Sequence, residues 1–247
     1  MSFVSVIMSY YKKELFIRKS IQSILNQTYK NFEIILINDE QTTKSYNFLK
    51  EISKLDSRIK LFSNEKNLGA GLSRNIGIEK SIGEFIAFCD CDDLWKPSKL
   101  EIQLKYMKKY SSNFSFTAYD IVDYSNKKIG ERKAKKILNF SDLIKSCDIG
   151  LSTVVLKREL INDDCKFASL ITKEDYVLWL NIAKKNVQLY GINDTLVQWR
   201  KLDNSLSSNT IQKLKDGFKV YNKYMNYNKI ISIIYLLRLS LNYLIKN

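Results

Sequence analysis

The chain of 247 residues contains no histidine and a single proline. The absence of histidine excludes imidazole metal sites and catalytic triads that use histidine as the base. With one proline and eight glycines, the chain lacks the composition of a linker-rich or disordered protein. Hydrophobic residues make up 45% of the chain and charged residues 27%, which indicates a globular protein with a sizeable core.

Acidic residues are also scarce: 26 Asp and Glu stand against 40 Lys and Arg, a formal net charge of +14. This balance indicates anionic partners, such as nucleoside diphosphates, anionic lipid head groups or nucleic acid. The nucleic-acid interpretation rests on charge alone, because no recognised binding motif is present. We therefore predict no nucleic-acid partner.

The four cysteines, Cys89, Cys91, Cys147 and Cys165, match no zinc-binding spacing. Cys89 and Cys91 are expected to fill space in a reduced protein. No signal peptide is visible, and no run reaches the roughly 18 apolar residues of a spanning helix. The expected location is cytoplasmic, with the inner face of the cytoplasmic membrane as a place of peripheral contact.

Strand and helix signals alternate over the first half of the chain. Apolar runs predict strands at 3–8, 32–37, 59–62 and 84–89, and helical spacing predicts helices at 14–25, 44–55 and 71–79. This alternation predicts a mainly parallel sheet of βα units. After Pro97, a capping box of Ser98 and Glu101 predicts a further helix.

The pattern is less regular in the second half of the chain. We predict an exposed basic loop at 127–136 and a mostly helical C-terminus. The other predicted elements are strands at 114–122, 152–156, 187–192 and 196–200, and helices at 141–146 and 173–183.

Three carboxylates, Asp90, Asp92 and Asp93, follow the fourth predicted strand. The carboxyl ends of parallel strands border the ligand crevice of an open α/β sheet. Clustered carboxylates repel one another unless a cation compensates them, and Mg²⁺ or Mn²⁺ prefers such oxygen ligands and can also hold a diphosphate. The alternative interpretation is an acidic turn.

Three further positions carry candidate chemistry. Asp39, after the second strand, is either a partner for a base or ribose or a turn acid. Arg74, early in a helix, either reaches a phosphate or lies solvated at the surface. Asp175 is either a general base for an acceptor hydroxyl or the N3 acid of a helix that Thr172 caps.

Together these motifs resemble the family 2 glycosyltransferases, which have the GT-A fold. The resemblance runs from about residue 4 to residue 207. The segments that carry it are 4–11 (VSVIMSYY), 23–29 (SILNQTY), 32–34, 75–78, 83–93, 150–155 and 174–179.

The resemblance implies an α/β, GT-A-like fold with a mainly parallel central sheet and a C-terminal helical appendage. Residues 1–207 would form the catalytic domain, with a nucleotide-sugar-binding half at 1–110 and an acceptor half at 111–207. Residues 208–247 would form a basic amphipathic helical tail.

The resemblance also implies a nucleotide-sugar donor, usually a UDP-sugar, and transfer of one sugar with inversion. By position, it assigns Asp39, Arg74, Asp90 and the backbone of Ser9 and Tyr10 to the donor nucleotide.

Two further roles follow by position. Asp92 would bind the metal, Mn²⁺ or Mg²⁺, and Asp175 would act as the base. The contacts expected for the acceptor or the diphosphate are Glu174, Trp179, Arg200 and Lys201.

The sequence departs from the family pattern at two places. The usual Asp-Asp-Gly-Ser is Asn38-Asp39-Glu40-Gln41, and Leu202 stands where many members have a histidine, so that Arg200 or Lys201 would substitute for it. The altered loop leaves a second hypothesis open, a non-catalytic scaffold that binds nucleotide or glycan. A processive polymer synthase is disfavoured, because such enzymes usually carry spanning helices.

The C-terminal segment 211–247 contains seven basic residues and one acidic residue. A narrow polar stripe divides otherwise apolar helix faces; it consists of Asn228, Ser232, Tyr235, Arg238, Asn242 and Lys246. Residues 228–246 therefore predict an interfacial helix on an anionic membrane. The alternatives are packing on the catalytic domain or on a second copy in a homodimer. A membrane helix would suit a lipid-linked acceptor, such as lipopolysaccharide core or a polyprenyl-linked glycan.

Overall fold

The computed structural model describes residues 2–202 and 209–246, with side chains up to residue 242. The first half is a series of βα units, as the alternating pattern predicts. Its elements are β1 (Val4–Tyr10), α1 (Glu14–Leu25), β2 (Phe32–Asn38), α2 (Thr43–Ser53), β3 (Ile59–Ser63), α3 (Ala70–Lys80) and β4 (Phe85–Phe88).

The second half adds shorter strands and the helices of the C-terminus. Its first elements are β5 (Leu94–Trp95), α4 (Lys99–Lys109), β6 (Phe114–Val122), β7 (Lys128–Arg132), β8 (Ile137–Leu138) and α5 (Phe140–Leu143). They are followed by β9 (Val155–Lys157), α6 (Glu174–Lys184), β10 (Leu189–Arg200), α7 (Thr210–Lys219), a π-helical turn (Val220–Tyr224) and α8 (Lys229–Lys246).

The described strands form one mixed sheet in the order β3-β2-β1-β4-β9-β6-β10-β5, with β7 on β6 and β8 on β10. β3, β2, β1 and β4 run parallel, and β9 is antiparallel to both of its neighbours. Every residue of β2 is buried, as expected for a parallel strand covered on both faces. Side chains alternate between two cores: Ile7 points to one face, and Val6 and Met8 point to the other.

Two predictions in the second half are wrong. The expected loop at 127–136 contains β7, which pairs antiparallel with β6. Lys128 of β7 forms ion pairs with Asp120 across the ladder and with Glu131 in its own strand. The two strands expected at 187–192 and 196–200 are the single strand β10. Its register against β6 shifts between Ile192 and Thr195, so the polar residues there form an irregularity rather than a turn.

The starts of one helix and one strand also differ from expectation. Ser98 precedes α4 but makes no side-chain capping bond, and Glu101 instead accepts hydrogen bonds from Thr28 and Lys105. The segment expected as a strand at 152–156 begins as a 3₁₀ turn at Leu151–Thr153, and β9 starts only at Val155.

The C-terminal helices pack against the body of the protein. Val220, Tyr221, Met225 and Leu239 belong to the same core cluster as Trp179 of α6. The predicted domain boundary at 207/208 lies outside the described residues, so it stays a prediction. Among the helices that the structure describes, none is long and apolar enough to cross a bilayer.

Candidate active site

Three neighbouring parallel strands place the predicted donor residues at one edge of the sheet. β1 ends at Tyr10, β2 is followed by Asp39, and β4 is followed by Asp90 and Asp92. Because β1 lies between β2 and β4, the side chains that follow the three strands share one crevice. The topology therefore brings together residues that are up to about 80 positions apart in sequence.

Asp39 organises the loop that leads into α3. Its carboxylate accepts hydrogen bonds from the backbone N–H groups of Leu68 at 2.9 Å and Gly69 at 2.8 Å and from the Asn64 side chain at 2.7 Å. Gly69 has a φ of +82°, a conformation that favours glycine. Asp39 is buried and already uses both oxygens, and its contact with a nucleotide base stays a prediction.

Arg74 joins two carboxylates that lie far apart in sequence. One guanidinium nitrogen donates to Asp90 at 2.7 Å and another donates to Glu174 at 2.6 Å. Burial opposes the charged form, but these two carboxylates raise the pKa of Arg74 above its usual value. The guanidinium also lies over the Phe167 ring, 5.5 Å from its centroid. Arg74 therefore ties the β4 end to the start of α6.

A close approach between α3 and α6 holds Glu174 in place. A Cβ at Gly71 would lie 2.7 Å from the Ala168 carbonyl oxygen and 2.9 Å from Cγ of Glu174. Only glycine therefore allows α3 to come this near to α6.

Asp175 lies next to Glu174 and is half-buried. Its carboxylate accepts a hydrogen bond from the backbone N–H of Tyr176 at 2.7 Å. Desolvation and the nearby charge of Glu174 raise the pKa of Asp175 to about 7. A carboxyl group with this pKa exchanges protons readily near neutral pH, as a general base must.

The capping alternative for Asp175 is wrong. The N-cap position of α6 is Lys173, with a left-handed φ of 64°, and not Thr172. Thr172 turns away from α6 and donates from its N–H and its hydroxyl to Asp216 of α7.

Asp92 pairs with a lysine that follows β1. Its carboxylate oxygen lies 2.6 Å from the ammonium of Lys13. Burial and the neighbouring Asp90 raise the pKa of Asp92, although Lys13 acts in the opposite direction. The positive charge of Lys13 therefore does not fully offset the burial of the Asp92 carboxylate and the repulsion from Asp90.

The donor set fits a divalent ion that is shared with a diphosphate. Within residues 2–202 and 209–246, no cluster of three His, Cys, Asp or Glu side chains could hold a metal by itself. Mg²⁺, however, is commonly bound through one or two carboxylates together with substrate phosphates and water. Asp92, whose negative charge Lys13 offsets only in part, lies beside Asp90 and matches this kind of site.

Asp93 and Arg200 form a hydrogen-bonded network next to Asp92. Asp93 is buried and accepts hydrogen bonds from the Ser152 hydroxyl at 2.5 Å and the Arg200 N–H at 3.0 Å. Burial and the neighbouring acids raise the pKa of Asp93 well above its usual value. The Arg200 guanidinium donates to carbonyl oxygens of Asp92 and Asp123 and to the Asn126 side chain. It therefore orders the chain around the acids, and its predicted diphosphate contact is untested.

The interpretation of Trp179 as an acceptor contact is wrong. The indole is fully buried and packs against Phe88, Phe114 and Phe167. A helix that buries nearly all of its faces leaves Trp179 in the core, where it cannot reach a glycan.

The other predicted contacts have the following positions. Lys201 is exposed, and its N–H donates to Val122. Backbone oxygens of Ser9 and Tyr10 accept bonds from Cys91 and Asp39, and the Tyr10 ring is buried. Their roles toward donor and acceptor stay predictions.

The sequence interpretation missed three side chains of this region. Lys13 lies three positions after β1, so a basic residue beside the crevice was a visible signal. Asp216 is the one acidic residue in the basic segment 211–247. An isolated acid in such a segment indicates a specific partner. Ser152 lies in the segment 150–155 that carries the family resemblance, but no local pattern predicts its bond to Asp93, which links residues 59 positions apart.

Comparison with known proteins agrees with this arrangement. Residues 5–164 match the model of glycosyl transferase family 2. The chain is 38% identical over 237 residues to UDP-Glc:alpha-D-GlcNAc-diphosphoundecaprenol beta-1,3-glucosyltransferase WfgD of Escherichia coli, covering 95% of this chain and 90% of that protein. It is 34% identical over 219 residues to the putative teichuronic acid biosynthesis glycosyltransferase TuaG of Bacillus subtilis, covering 88% and 86%.

Solved structures share the fold at low sequence identity. TarS 1–349 of S. aureus, in complex with UDP-GlcNAc, superposes with a TM-score of 0.74 at 18% identity, covering 95% of this chain and 70% of that one. The mannosyltransferase PcManGT of Pyrobaculum calidifontis, in complex with GDP-Man and Mn²⁺, gives 0.70 at 14% identity with the same coverage. The chain therefore belongs to glycosyl transferase family 2 and is a glycosyltransferase of the GT-A fold.

Proposed function

We propose that this glycosyltransferase moves one sugar from a UDP-sugar to a hydroxyl of a lipid-linked, diphosphate-bearing acceptor, with a divalent ion and with inversion. Two E. coli relatives support the substrate classes, because both are named as UDP-Glc:alpha-D-GlcNAc-diphosphoundecaprenol beta-1,3-glucosyltransferases. The TuaG relative, named for teichuronic acid biosynthesis, supports a role in surface-glycan assembly.

The hydrogen bonding and the pKa of Asp175 support the catalytic part of the proposal. Of the acids around the crevice, Asp90 and Glu174 share Arg74, and Asp92 pairs with Lys13. Asp175 accepts one backbone hydrogen bond and has a pKa of about 7. It is therefore the carboxylate best suited to take a proton from a substrate.

The reaction then needs one displacement. Asp175 removes the proton of the acceptor hydroxyl while its oxygen attacks the anomeric carbon of the donor. The bond from that carbon to the diphosphate breaks, and the nucleoside diphosphate leaves with the electron pair. Attack from the face opposite the leaving group inverts the anomeric centre, and no second nucleophile is required on the donor face.

The leaving diphosphate gains negative charge. Asp92, with Asp90 beside it, would hold the divalent ion, which supplies Lewis-acid neutralisation of that charge when bound. The Lys13 ammonium lies 2.6 Å from the Asp92 carboxylate and would compete with that ion for it. Arg74 keeps Asp90 and Glu174 oriented, so that the donor side and the base side keep a fixed geometry.

The test is a transfer assay with UDP-glucose, Mn²⁺ and a GlcNAc-diphosphate acceptor on a short lipid. We expect a product with one added hexose by mass spectrometry and an inverted anomeric configuration by NMR. Asp175→Asn should lower kcat by about 10²–10⁴-fold, the usual contribution of a general base. UDP affinity measured by calorimetry should be retained.

The matched control is Asp163→Asn, which alters a side chain that is 99% exposed and paired only with Lys166. This variant should keep full activity. Retained activity in Asp175→Asn would place the base elsewhere. Binding of GDP, CDP or dTDP in preference to UDP would overturn the donor class, and a retained anomeric configuration would overturn the single displacement.

A further inference from the structure

Three members of the polar stripe of α8, Ser232, Tyr235 and Asn242, face the body of the protein. Ser232 is buried, and the Asn242 amide donates to the Lys145 carbonyl at 2.7 Å. The Tyr235 ring stacks on Tyr221 and on Tyr227, with centroids 5.4 Å apart in each case. These polar side chains therefore contact the body of the chain, whereas Asn228 and Arg238 of the same stripe are exposed.

The opposite side of α8 is apolar and open to solvent. The side chains on this outward face are 38–72% exposed. They are Ile230, Ile231, Ile233, Ile234, Leu237 and Leu241. Their spacing places them on adjoining turns, so that they form one continuous surface. A continuous apolar surface of this kind marks a docking site for a partner or a membrane.

The charge around the outward face is positive. Residues 211–247 contain seven basic residues and one acid, a net charge of +6. The acid, Asp216, is buried and bound to Thr172, and therefore offers no negative charge at the surface. Lys223, Lys229 and Arg238 are exposed beside the apolar side chains. Apolar residues with a cationic border match the interface of an anionic bilayer.

We propose that the outward face of α8 docks this enzyme on an anionic lipid bilayer. A second copy of the chain fits less well, because a symmetric contact through α8 would bring two segments of charge +6 together. α8 would lie in the plane of the membrane rather than across it.

The position of α8 relative to Asp175 indicates what membrane docking would do for the reaction. This step rests on the function proposed above. α8 packs closely on α7, because a Cβ at Gly217 would lie 2.8 Å from Cδ1 of Leu236. The neighbouring Asp216 of α7 binds Thr172, three residues before Asp175. A bilayer against α8 would hold a lipid-linked acceptor near the acceptor side of the crevice.

The test is flotation of the full chain with vesicles of phosphatidylglycerol and phosphatidylcholine in equal parts, and with vesicles of phosphatidylcholine alone. We expect flotation with the anionic vesicles only. The triple variant Ile233→Ser, Ile234→Ser, Leu237→Ser should lower the partition coefficient by about tenfold or more, since it removes apolar surface from the interface. The substituted residues are exposed, so the fold should be unaffected.

A matched triple variant separates this surface from apolar exposure in general. Leu55→Ser, Ile82→Ser and Ile129→Ser change side chains of similar exposure on other parts of the molecule, and flotation should persist. For charge, Lys223→Glu with Lys229→Glu should weaken flotation, whereas Lys30→Glu with Lys108→Glu should not.

Three outcomes would overturn the docking proposal: no flotation of the unmodified chain, equal flotation with neutral vesicles, or a dimer in sedimentation analysis that the α8 triple variant dissociates. UDP binding, measured by calorimetry on the same variants, reports on the donor site alone. Absence of flotation of the unmodified chain, with UDP binding retained, therefore contradicts the docking and leaves the proposed function standing. Lost flotation of the α8 triple variant, with UDP binding retained, supports the docking.

Discussion

Asp216 of α7 accepts two hydrogen bonds from Thr172, one from its backbone N–H at 3.0 Å and one from its hydroxyl at 3.2 Å. Both come to the same carboxylate oxygen, and the whole side chain is buried. Thr172 precedes the left-handed Lys173, after which Glu174 and Asp175 begin α6. The C-terminal segment therefore anchors the turn that presents the proposed base.

The first prediction concerns this anchor. Asp216→Ala should lower kcat by about tenfold, because the turn before Asp175 loses two hydrogen bonds and leaves buried donors on Thr172 unsatisfied. UDP affinity should change little, since most of the proposed donor residues lie at the ends of β1, β2 and β4. The measurement is steady-state transfer kinetics together with calorimetry of UDP binding.

Lys219→Met is the matched control for Asp216. It removes the ammonium that lies 3.3 Å from the other carboxylate oxygen and leaves both bonds to Thr172 intact. Its kcat should stay within about twofold of the unmodified enzyme, because the Lys219 ammonium is half-exposed and makes no hydrogen bond or ion pair with the described turn that precedes Asp175. An equal loss of UDP affinity and kcat in Asp216→Ala would indicate general unfolding instead of lost positioning.

The second prediction concerns the pH dependence of the rate. Asp175, the proposed base, can accept a proton only when it is ionised, and its pKa is about 7. Below this value log kcat should therefore rise by about one for each pH unit, and above it kcat should level off. Rates at saturating substrate, followed from about pH 5.5 to 8.5, would show the bend.

Glu174→Gln tests the cause of the raised pKa. The charge of Glu174 raises the pKa of Asp175, and the positive charge of Arg74 lowers it. Removing the Glu174 charge should therefore move the bend in the pH profile toward acid. A bend that stays in place, or moves toward alkaline pH, would show that another group controls the rate.

The third prediction concerns the lysine beside the proposed metal ligand. Lys13 lies 2.6 Å from the Asp92 carboxylate, where an ammonium and a divalent ion would compete. Lys13→Met should therefore tighten Mn²⁺ binding in the presence of UDP by about tenfold, measured from the free Mn²⁺ signal in electron paramagnetic resonance. Lys12→Met, an exposed neighbour, should have no effect. Weaker Mn²⁺ binding in Lys13→Met would instead assign Lys13 to the diphosphate.

The sequence predicts the parallel half of the fold closely. The continuous apolar run that forms β2 leaves few alternatives to a doubly covered parallel strand, and its observed end at Asn38 lies one residue from the predicted end. An apolar run could not predict β7, because Ile129 is the only apolar residue of this strand besides glycine. Its formation depends on pairing with β6, which is a long-range effect.

The residues of the candidate site also fall into two groups: those that a local sequence pattern reveals and those that depend on long-range contacts. Asp39, Asp90 and Asp92 were visible because residues that follow parallel strands meet at one edge of the sheet. The bond from Arg74 to Glu174 spans 100 positions, so no local pattern could reveal it. The burial of Trp179 was hidden for the same reason, since helical spacing does not show that a helix is covered on several sides.

The fourth prediction concerns a lysine that the proposed mechanism does not use. Lys99, at the start of α4, is fully buried, and its ammonium has no hydrogen-bond partner. It lies 4.0 Å from the centroid of the Trp95 ring. Desolvation lowers the pKa of Lys99 to about 7 from 10.5.

This shift makes stability depend on pH in a defined direction. Between about pH 7 and pH 10.5 the unfolded chain binds the proton more readily than the folded chain, so the free energy of unfolding should rise with pH across this window. Below pH 7 both states carry the charge, and the full desolvation penalty remains. Lys99→Met should therefore stabilise the protein at pH 6 by about 2–4 kcal/mol, because methionine fills a similar volume without a charge.

Urea denaturation at pH 6, 8 and 9.5 measures this difference. The advantage of Lys99→Met over the unmodified protein should shrink as the pH rises, because folding of the neutral lysine carries a smaller penalty. Lys108→Met, on an exposed face of the same helix, should show no such trend. An advantage that is independent of pH would mean that Lys99 keeps its ordinary pKa in the folded state, because its ammonium is hydrated there. A loss of stability would mean that its contact with Trp95 outweighs the desolvation.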